Sequence, residues 1–246
     1  MEKIHLIMPM AGGGTRFGKE GFQLPKPLIR LQGKPFFYWA VQSIVKYIDV
    51  EDIIFVVLQE HTENFSIDRE ILEHYPNARI HVIPQVLNGA VLTCCEGIKL
   101  VDDALPILFN DCDHAFLCQT FYDFCRCAAF EKTDAALLTF PSDSPCYSYV
   151  RFDQSGNITG TVEKEAVSSE AVCGAYYFRN KNIFSDAVET YLKKCSYNEF
   201  FVSGVYNVLA DEGKKLCTFS TDEHISFGTP DEYNAAVSDK RLGALM

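Results

Sequence analysis

The sequence predicts an α/β fold of three αβα layers, with helices on both faces of a mixed, mainly parallel sheet. Two observations predict it. Short apolar runs alternate with helix-like patterns through the first 140 residues, and strands that are apolar throughout belong to sheets covered on both faces. After residue 146 the pattern changes to a hairpin and longer helices, with no linker between the two regions. The chain therefore reads as one domain, 1–246, with halves at 1–145 and 146–246.

The first strand is Ile4–Met10, followed by a glycine-rich connection. Pro35 then opens a helix as a first-turn proline, and Phe37, Val41, Ile44 and Ile48 share one face at helical spacing. Further strands are expected at Asp52–Leu58, Ala78–Gln85, Leu105–Asn110 and Ala135–Phe140, with helices near Ser66–Tyr75, Gly89–Val101 and Gln119–Phe130 between them. The segment "YSYVRFDQSGNITGTVEKE" reads as a hairpin around Ser155-Gly156-Asn157, and "AVCGAYYFRN" as another strand. Helices near Asn182–Lys194 and Phe200–Gly213, the run "KKLCTFST" and a helix from Pro230 complete the order. In sheets of this kind ligands lie beyond the C-terminal ends of the strands. The glycine-rich loop and the segment after Asn110 both fall there.

Composition narrows the function. With 48% hydrophobic and 22% charged residues the chain is ordinarily globular. No apolar run approaches the roughly 20 residues of a membrane span, and the N-terminus reads as a buried strand, not a cleavable leader. The expectation is a soluble cytoplasmic protein. A net charge of −11 argues against a nucleic-acid partner, because phosphate-backbone binding needs a basic field. Yet the first 34 residues carry Lys3, Arg16, Lys19, Lys26, Arg30 and Lys34 against Glu2 and Glu20, a local positive zone suited to a small anionic ligand. The ten cysteines fall mostly in apolar runs without paired C-x-x-C spacing and read as reduced core thiols. His5, His61, His74, His81, His114 and His224 show no zinc-ligand spacing.

The stretch "PMAGGGTRFGKEGFQLPKPLIRLQGKPF" (residues 9–36) carries the strongest signal. Converging glycine amides suit an anion. A P-loop is excluded because no Lys-Ser/Thr follows Gly13 or Gly14 in register. A dinucleotide fingerprint fits Gly12 and Gly14, but Phe17 stands where the third glycine belongs, and no helix is expected there because Lys19–Pro27 is polar and twice interrupted by proline. What remains resembles the signature loop of the sugar-phosphate nucleotidyltransferases, with its G-G/R-G-[ST]-R, P-K-P-L and G-K-P elements. "LPILFNDCDHAF", "TVEKEAVSSEAVCGAYYF", "EFFVSGVYNVLADEGKKL" and "FGTPDEYNAA" resemble the family's later elements in the expected order, so the resemblance spans about residues 4–236.

That resemblance implies a Rossmann-like, GT-A-like nucleotidyltransferase fold. It also implies transfer of NMP from an NTP to a small phosphorylated acceptor, with loss of pyrophosphate. The first half would bind nucleotide and the second the acceptor. Ala11, Gly12, Gly13, Gly14 and Thr15 would cradle the nucleotide, with Arg16 on the leaving phosphates, where a guanidinium can bond bidentately. Lys26 would reach the α-phosphate and the incoming phosphate. Gln85, Asn88 and Gly89 would form the base pocket, although relatives often read Q-x-x-G-T-A where this chain has "QVLNGAV".

"NDCDH" places Asp111 and Asp113 just past an apolar strand, and carboxylate oxygen is what Mg²⁺ takes. The resemblance makes Asp113 the primary ligand and Asp111 a second contact, while His114 reads as a polar neighbour. Glu163 and Lys164 would lie over the acceptor phosphate, with Lys164 neutralising it, and Gly174 and Tyr177 would line the acceptor pocket. Many relatives carry a metal-binding Asp where this chain has Ser226, so either one Mg²⁺ suffices or Asp222 or Glu223 contributes. The opening "PMAGGGTRF" most resembles a bacterial branch that makes capsule and surface-polysaccharide precursors. A pyrimidine nucleotide is favoured, CTP slightly. The acceptor can be a sugar-1-phosphate or a non-sugar phosphate, and a homo-oligomer stays open. The rival reading is a GT-A glycosyltransferase using the same Asp111/Asp113 D-x-D on a nucleotide-sugar.

Overall fold

The computed structural model describes residues 3–127 and 132–245. Strand β1 (Ile4–Pro9) leads into helix α1 (Thr15–Lys19), a 3-10 turn at Lys26–Leu28, and the two-residue strands β2 (Arg30–Leu31) and β3 (Lys34–Pro35). Then come α2 (Phe36–Val45), β4 (Val50–Leu58), α3 (Gln59–Phe65), α4 (Ile67–His74), β5 (Arg79–Ile83), α5 (Ala90–Ile98) and β6 (Ile107–Asn110). Next are β7 (His114–Leu117), α6 (Gln119–Arg126), β8 (Ala135–Pro141), β9 (Ser148–Phe152), β10 (Ile158–Glu163) and β11 (Glu170–Phe178). The chain continues through α7 (Lys181–Lys194), α8 (Val202–Asp211), β12 (Leu216–Ser220), β13 (Glu223–Ser226), α9 (Pro230–Ala236) and a 3-10 turn at Lys240–Leu245.

One sheet runs β10-β9-β11-β6-β1-β4-β5, and β8 joins it at β11 with β12 beyond. β1 pairs in parallel with β4 and β6, as do β4 with β5 and β8 with β12. β11 is antiparallel to β6, β8 and β9, which gives the mixed character. Alternate side chains go to opposite faces, as strand geometry requires. Leu6, Met8, Phe55 and Val57 pack with Phe37, Val41 and Ile44 of α2 and Ile71 of α4. Ile7, Ile54 and Val56 face the other way, toward Val91 and Cys94 of α5, Phe184 of α7 and Leu209 of α8. These two apolar cores make the expected three layers. A third core, including Phe17, Phe36, Trp39, Ile225 and Phe227, anchors the loop excursion against β7 and β13.

The differences from expectation are local. A five-residue helix does follow the glycine loop, because Phe17 is buried edge-on against Phe22 and Phe36. Pro35 caps α2 from outside instead of opening it, and Ile48 lies beyond the helix end. The helix expected near Ser66–Tyr75 is α4, and an unexpected helix, α3, precedes it, the two separated at Ser66, whose φ of 52° no helix interior accommodates. α6 ends at Arg126, and the remainder of the expected Gln119–Phe130 helix runs into residues outside the described ones. The β7/β13 pair has no counterpart in the sequence reading. All ten cysteines are free thiols, and Cys94, Cys112, Cys118, Cys125 and Cys173 are buried. Among the described residues no helix is long and apolar enough to cross a membrane.

Candidate active site

Two cavities open beyond the C-terminal ends of β1 and β6. The first, about 290 Å³, is lined by Ala11, Gly12, Gly13, Lys26, Leu87 and Gly89 among others. The second, about 280 Å³, takes Arg16, Tyr147, Glu163, Lys164, Gly174 and Tyr176 into its wall. Asp111, Asp113 and Glu199 line both. The amides of Gly12 and Gly13 donate to no protein acceptor among the described residues, so they are free to bind an anion in the first cavity. Gly14 and Thr15 stand behind that wall, at the entry to α1.

At the junction Lys26 Nζ donates to Asp113 Oδ2 at 2.8 Å. Both side chains keep some access to solvent, at 29% and 23% exposure. Burial works against the charge on each, but their mutual attraction wins: the Lys26 ammonium is held above its usual range and the Asp113 carboxyl below its own. Asp111 differs. Burial, and then the neighbouring Asp113 charge, push its carboxyl up to about 7, with Lys26 opposing. Its backbone N–H is tied to Gly174 O at 2.9 Å. At Gly228 a β-carbon would lie 2.3 Å from Asp113 Oδ2, so this residue's bareness leaves the carboxylate its place.

These two carboxylates fit a hard divalent cation. They are oxygen donors two residues apart, and Asp111 is a half-buried acid whose charge is opposed by its neighbour, a conflict that a cation relieves. Ser226, in the second cavity, is not accompanied by the carboxylates suggested to compensate for it. Asp222 Oδ2 instead accepts the Gln119 N–H at 2.7 Å, and Glu223 pairs with Arg241 at 2.7 Å.

The remaining predicted residues divide by position. Glu163 accepts hydrogen bonds from the Ser148 and Ser203 hydroxyls. Lys164 has φ of 58° and lays its ammonium 5.6 Å from the centre of the Phe201 ring. Gln85 and Asn88 are exposed and outside the first cavity's lining, whereas Val86, Leu87 and Gly89 are within it. Gly89 takes φ of 107° against the backbone of Phe200. Tyr177 is buried in the core with Phe121 and Phe124, because strand alternation sends Tyr176, not Tyr177, to the second cavity. The sequence reading missed Glu199, Tyr147 and Glu232. The Tyr147 hydroxyl donates to Glu232, and Glu232 also closes a capping box with Thr229 at the start of α9. The T-P-D-E spacing signals that cap, but nothing local reveals that it borders a cavity.

Comparison with known proteins bears on the fold and the family. No curated protein matches the sequence. Among solved structures, the nucleoside-diphosphate-sugar pyrophosphorylase from Vibrio cholerae RC9 superposes with a TM-score of 0.80 at 22% identity, covering 95% of this chain and all of that one. The inositol-1-phosphate CTP transferase from T. maritima gives 0.75 at 15% identity, covering 99% of this chain and 94% of that one. Likeness at such identities establishes the fold. A family model described as nucleotidyl transferase matches residues 6–240, nearly the whole chain, and the chain belongs to that family.

Proposed function

We propose that this nucleotidyltransferase moves NMP from a pyrimidine NTP, CTP by preference, to a sugar-1-phosphate or similar small phosphate monoester. The observation that carries the reading is the meeting of two cavities at Asp111 and Asp113, with Lys26 between them. One cavity has free glycine amides for a triphosphate, and the other has Lys164 for a second anion. An acceptor phosphate oxygen attacks the α-phosphorus, the bond from that phosphorus to the bridging oxygen breaks, and pyrophosphate leaves with the electron pair. Both partners are anionic, so cationic positioning is most of the catalysis. Lys26 exchanges Asp113 for the α-phosphate, Arg16 turns from the wall of the second cavity to the leaving phosphates, and Lys164 holds the acceptor. Asp113, with Asp111 beside it, would hold Mg²⁺, which when bound offsets the charge that develops on the phosphates. Support for CTP and for acceptors beyond sugars comes from the likeness to the T. maritima enzyme. Support for a place in surface-polysaccharide precursor supply comes from the resemblance of the opening loop.

The test is pyrophosphate release with each of four NTPs, Mg²⁺ and a panel of sugar-1-phosphates and inositol-1-phosphate. Fastest release with CTP is expected. Nucleotide-sugar cleavage without pyrophosphate would instead support the D-x-D glycosyltransferase.

A further inference from the structure

The histidines without zinc spacing in sequence acquire it in space. One ring nitrogen of His114, one of His224 and Sγ of Cys173 all lie within 4.8 Å of one another. The three residues come from β7, β13 and β11, which are far apart in the chain. All three line the second cavity.

Two of these groups are incomplete as they stand. Asn110 Nδ2 donates to Ala40 O at 3.0 Å, which turns its Oδ1 toward His114 Nε2, also at 3.0 Å. His114 must therefore carry its proton on Nε2, leaving Nδ1 a bare lone pair. That Nδ1 is buried with no partner, and so is His224 Nε2. The Cys173 backbone lies against the other side of the His224 ring. Buried polar atoms are almost always satisfied, and leaving one bare is costly. Two in one cluster, beside a thiol, point to a missing ligand.

The rings are also held in place. His224 stacks on Phe140 with centroids 3.9 Å apart, and His114 stacks on Phe116 at 5.5 Å. A histidine whose second nitrogen is hydrogen-bonded to a carbonyl oxygen is the usual outer-shell arrangement of a metal ligand. Nitrogen with thiolate is a borderline-soft donor set, suited to zinc and poorly suited to magnesium. A tetrahedral zinc keeps nitrogen and sulfur ligands roughly 3.3–3.7 Å apart, so closure needs about an ångström of side-chain adjustment.

We propose that the imidazoles of His114 and His224 and the thiolate of Cys173 form a site for a zinc-class divalent cation, distinct from the carboxylate pair and open on its fourth side to the acceptor cavity. On binding, the cation replaces the thiol proton, which leaves to solvent. Water or an oxygen of the bound acceptor completes the tetrahedron.

The probe is Co²⁺ titrated into chelator-stripped full-length protein, with Zn²⁺ as competitor. The expected result is one equivalent of tetrahedral Co²⁺ with a thiolate charge-transfer band, displaced by Zn²⁺ and untouched by excess Mg²⁺. Cys173→Ser should abolish the charge-transfer band, and His224→Gln should raise the Zn²⁺ Kd at least about 100-fold, the upper end of what outer-shell changes cost. Asn110→Leu, which leaves all three ligands, should raise it about 10–100-fold. Asp113→Asn should leave the band unchanged, which separates this site from the proposed Mg²⁺ site. Octahedral Co²⁺, a spectrum without thiolate absorption, or a band that survives Cys173→Ser would overturn the proposal, and each can be read on folded protein.

Discussion

Lys26 and Asp113 neutralise one another across 87 positions of sequence, at the boundary between the two cavities. Each is the other's placeholder. In the reaction proposed above, Lys26 turns to phosphate while Asp113 turns to metal, so the pair separates when both substrates are present. Lys26→Ala should lower kcat by about 10²–10³-fold, the usual cost of deleting one preorganised stabilising group, with a much smaller change in the KM for NTP. Steady-state pyrophosphate release checks it. A turnover near that of the wild type would remove Lys26 from the mechanism.

Asp111 gives a pH dependence of definite sign. Its folded pKa, about 7, lies above that of an unfolded aspartate. The stability it contributes is therefore complete below the unfolded value, near 4, and is lost as pH rises through about 7. Asp111→Asn, which cannot ionise, should gain on the wild type across that window in buffer free of divalent cations. Thermal melts of both proteins between pH 4 and 8 measure the difference, and parallel curves would contradict it.

Gly89 and Gly228 are close-approach positions with different consequences. At Gly89 an added β-carbon would lie 2.4 Å from Phe200 O and 2.5 Å from Phe200 N, and φ is 107°. Backbone cannot yield cheaply there, so Gly89→Ala should destabilise by about 3 kcal/mol or more, from strain and overpacking together, measured by urea denaturation.

At Gly228 the obstacle is only the end of the Asp113 side chain, 2.3 Å away. Gly228→Ala should keep the fold, with a melting temperature within a few degrees, but swing the carboxylate aside and reduce kcat at least about tenfold. Unchanged kcat would mean that Asp113 has latitude to move.

Lys164 holds a left-handed backbone that glycine adopts freely, a conformation costing about 1 kcal/mol for other residues. Lys164→Gly should therefore leave stability equal or slightly higher while raising the KM for the phosphorylated acceptor. Melting temperature and acceptor titration should move apart, and a fall in both would assign Lys164 a purely structural role.

Much of this was legible in the sequence because period and composition are local. The apolar runs at Ile4, Asp52 and Ala135 specify buried strands wherever they sit, and Pro-Lys-Pro fixes a backbone without outside help. The unread parts depend on distant partners. Thr15–Lys19 is too short to be helical alone and is held by the Phe17 cluster. Strand β13 has little propensity to announce it and exists through its pairing with β7. Tyr176 and Tyr177 have the same side chain, and only the register of β11 against β6 decides which meets the cavity. The His114, Cys173 and His224 group is invisible in one dimension, since each comes from a different strand.

Strand β11 has one more consequence. Its ladder joins β6, which leads into the carboxylate pair, to β9, whose Ser148 lines the second cavity. Ladder hydrogen bonds tie these strands into one sheet, so the interval between the two cavities is set by strand spacing, like notches on a ruler. Selectivity can then be retuned at the rims without altering that interval. Recutting Val86 and Leu87 should exchange one base for another while the second substrate stays in its place.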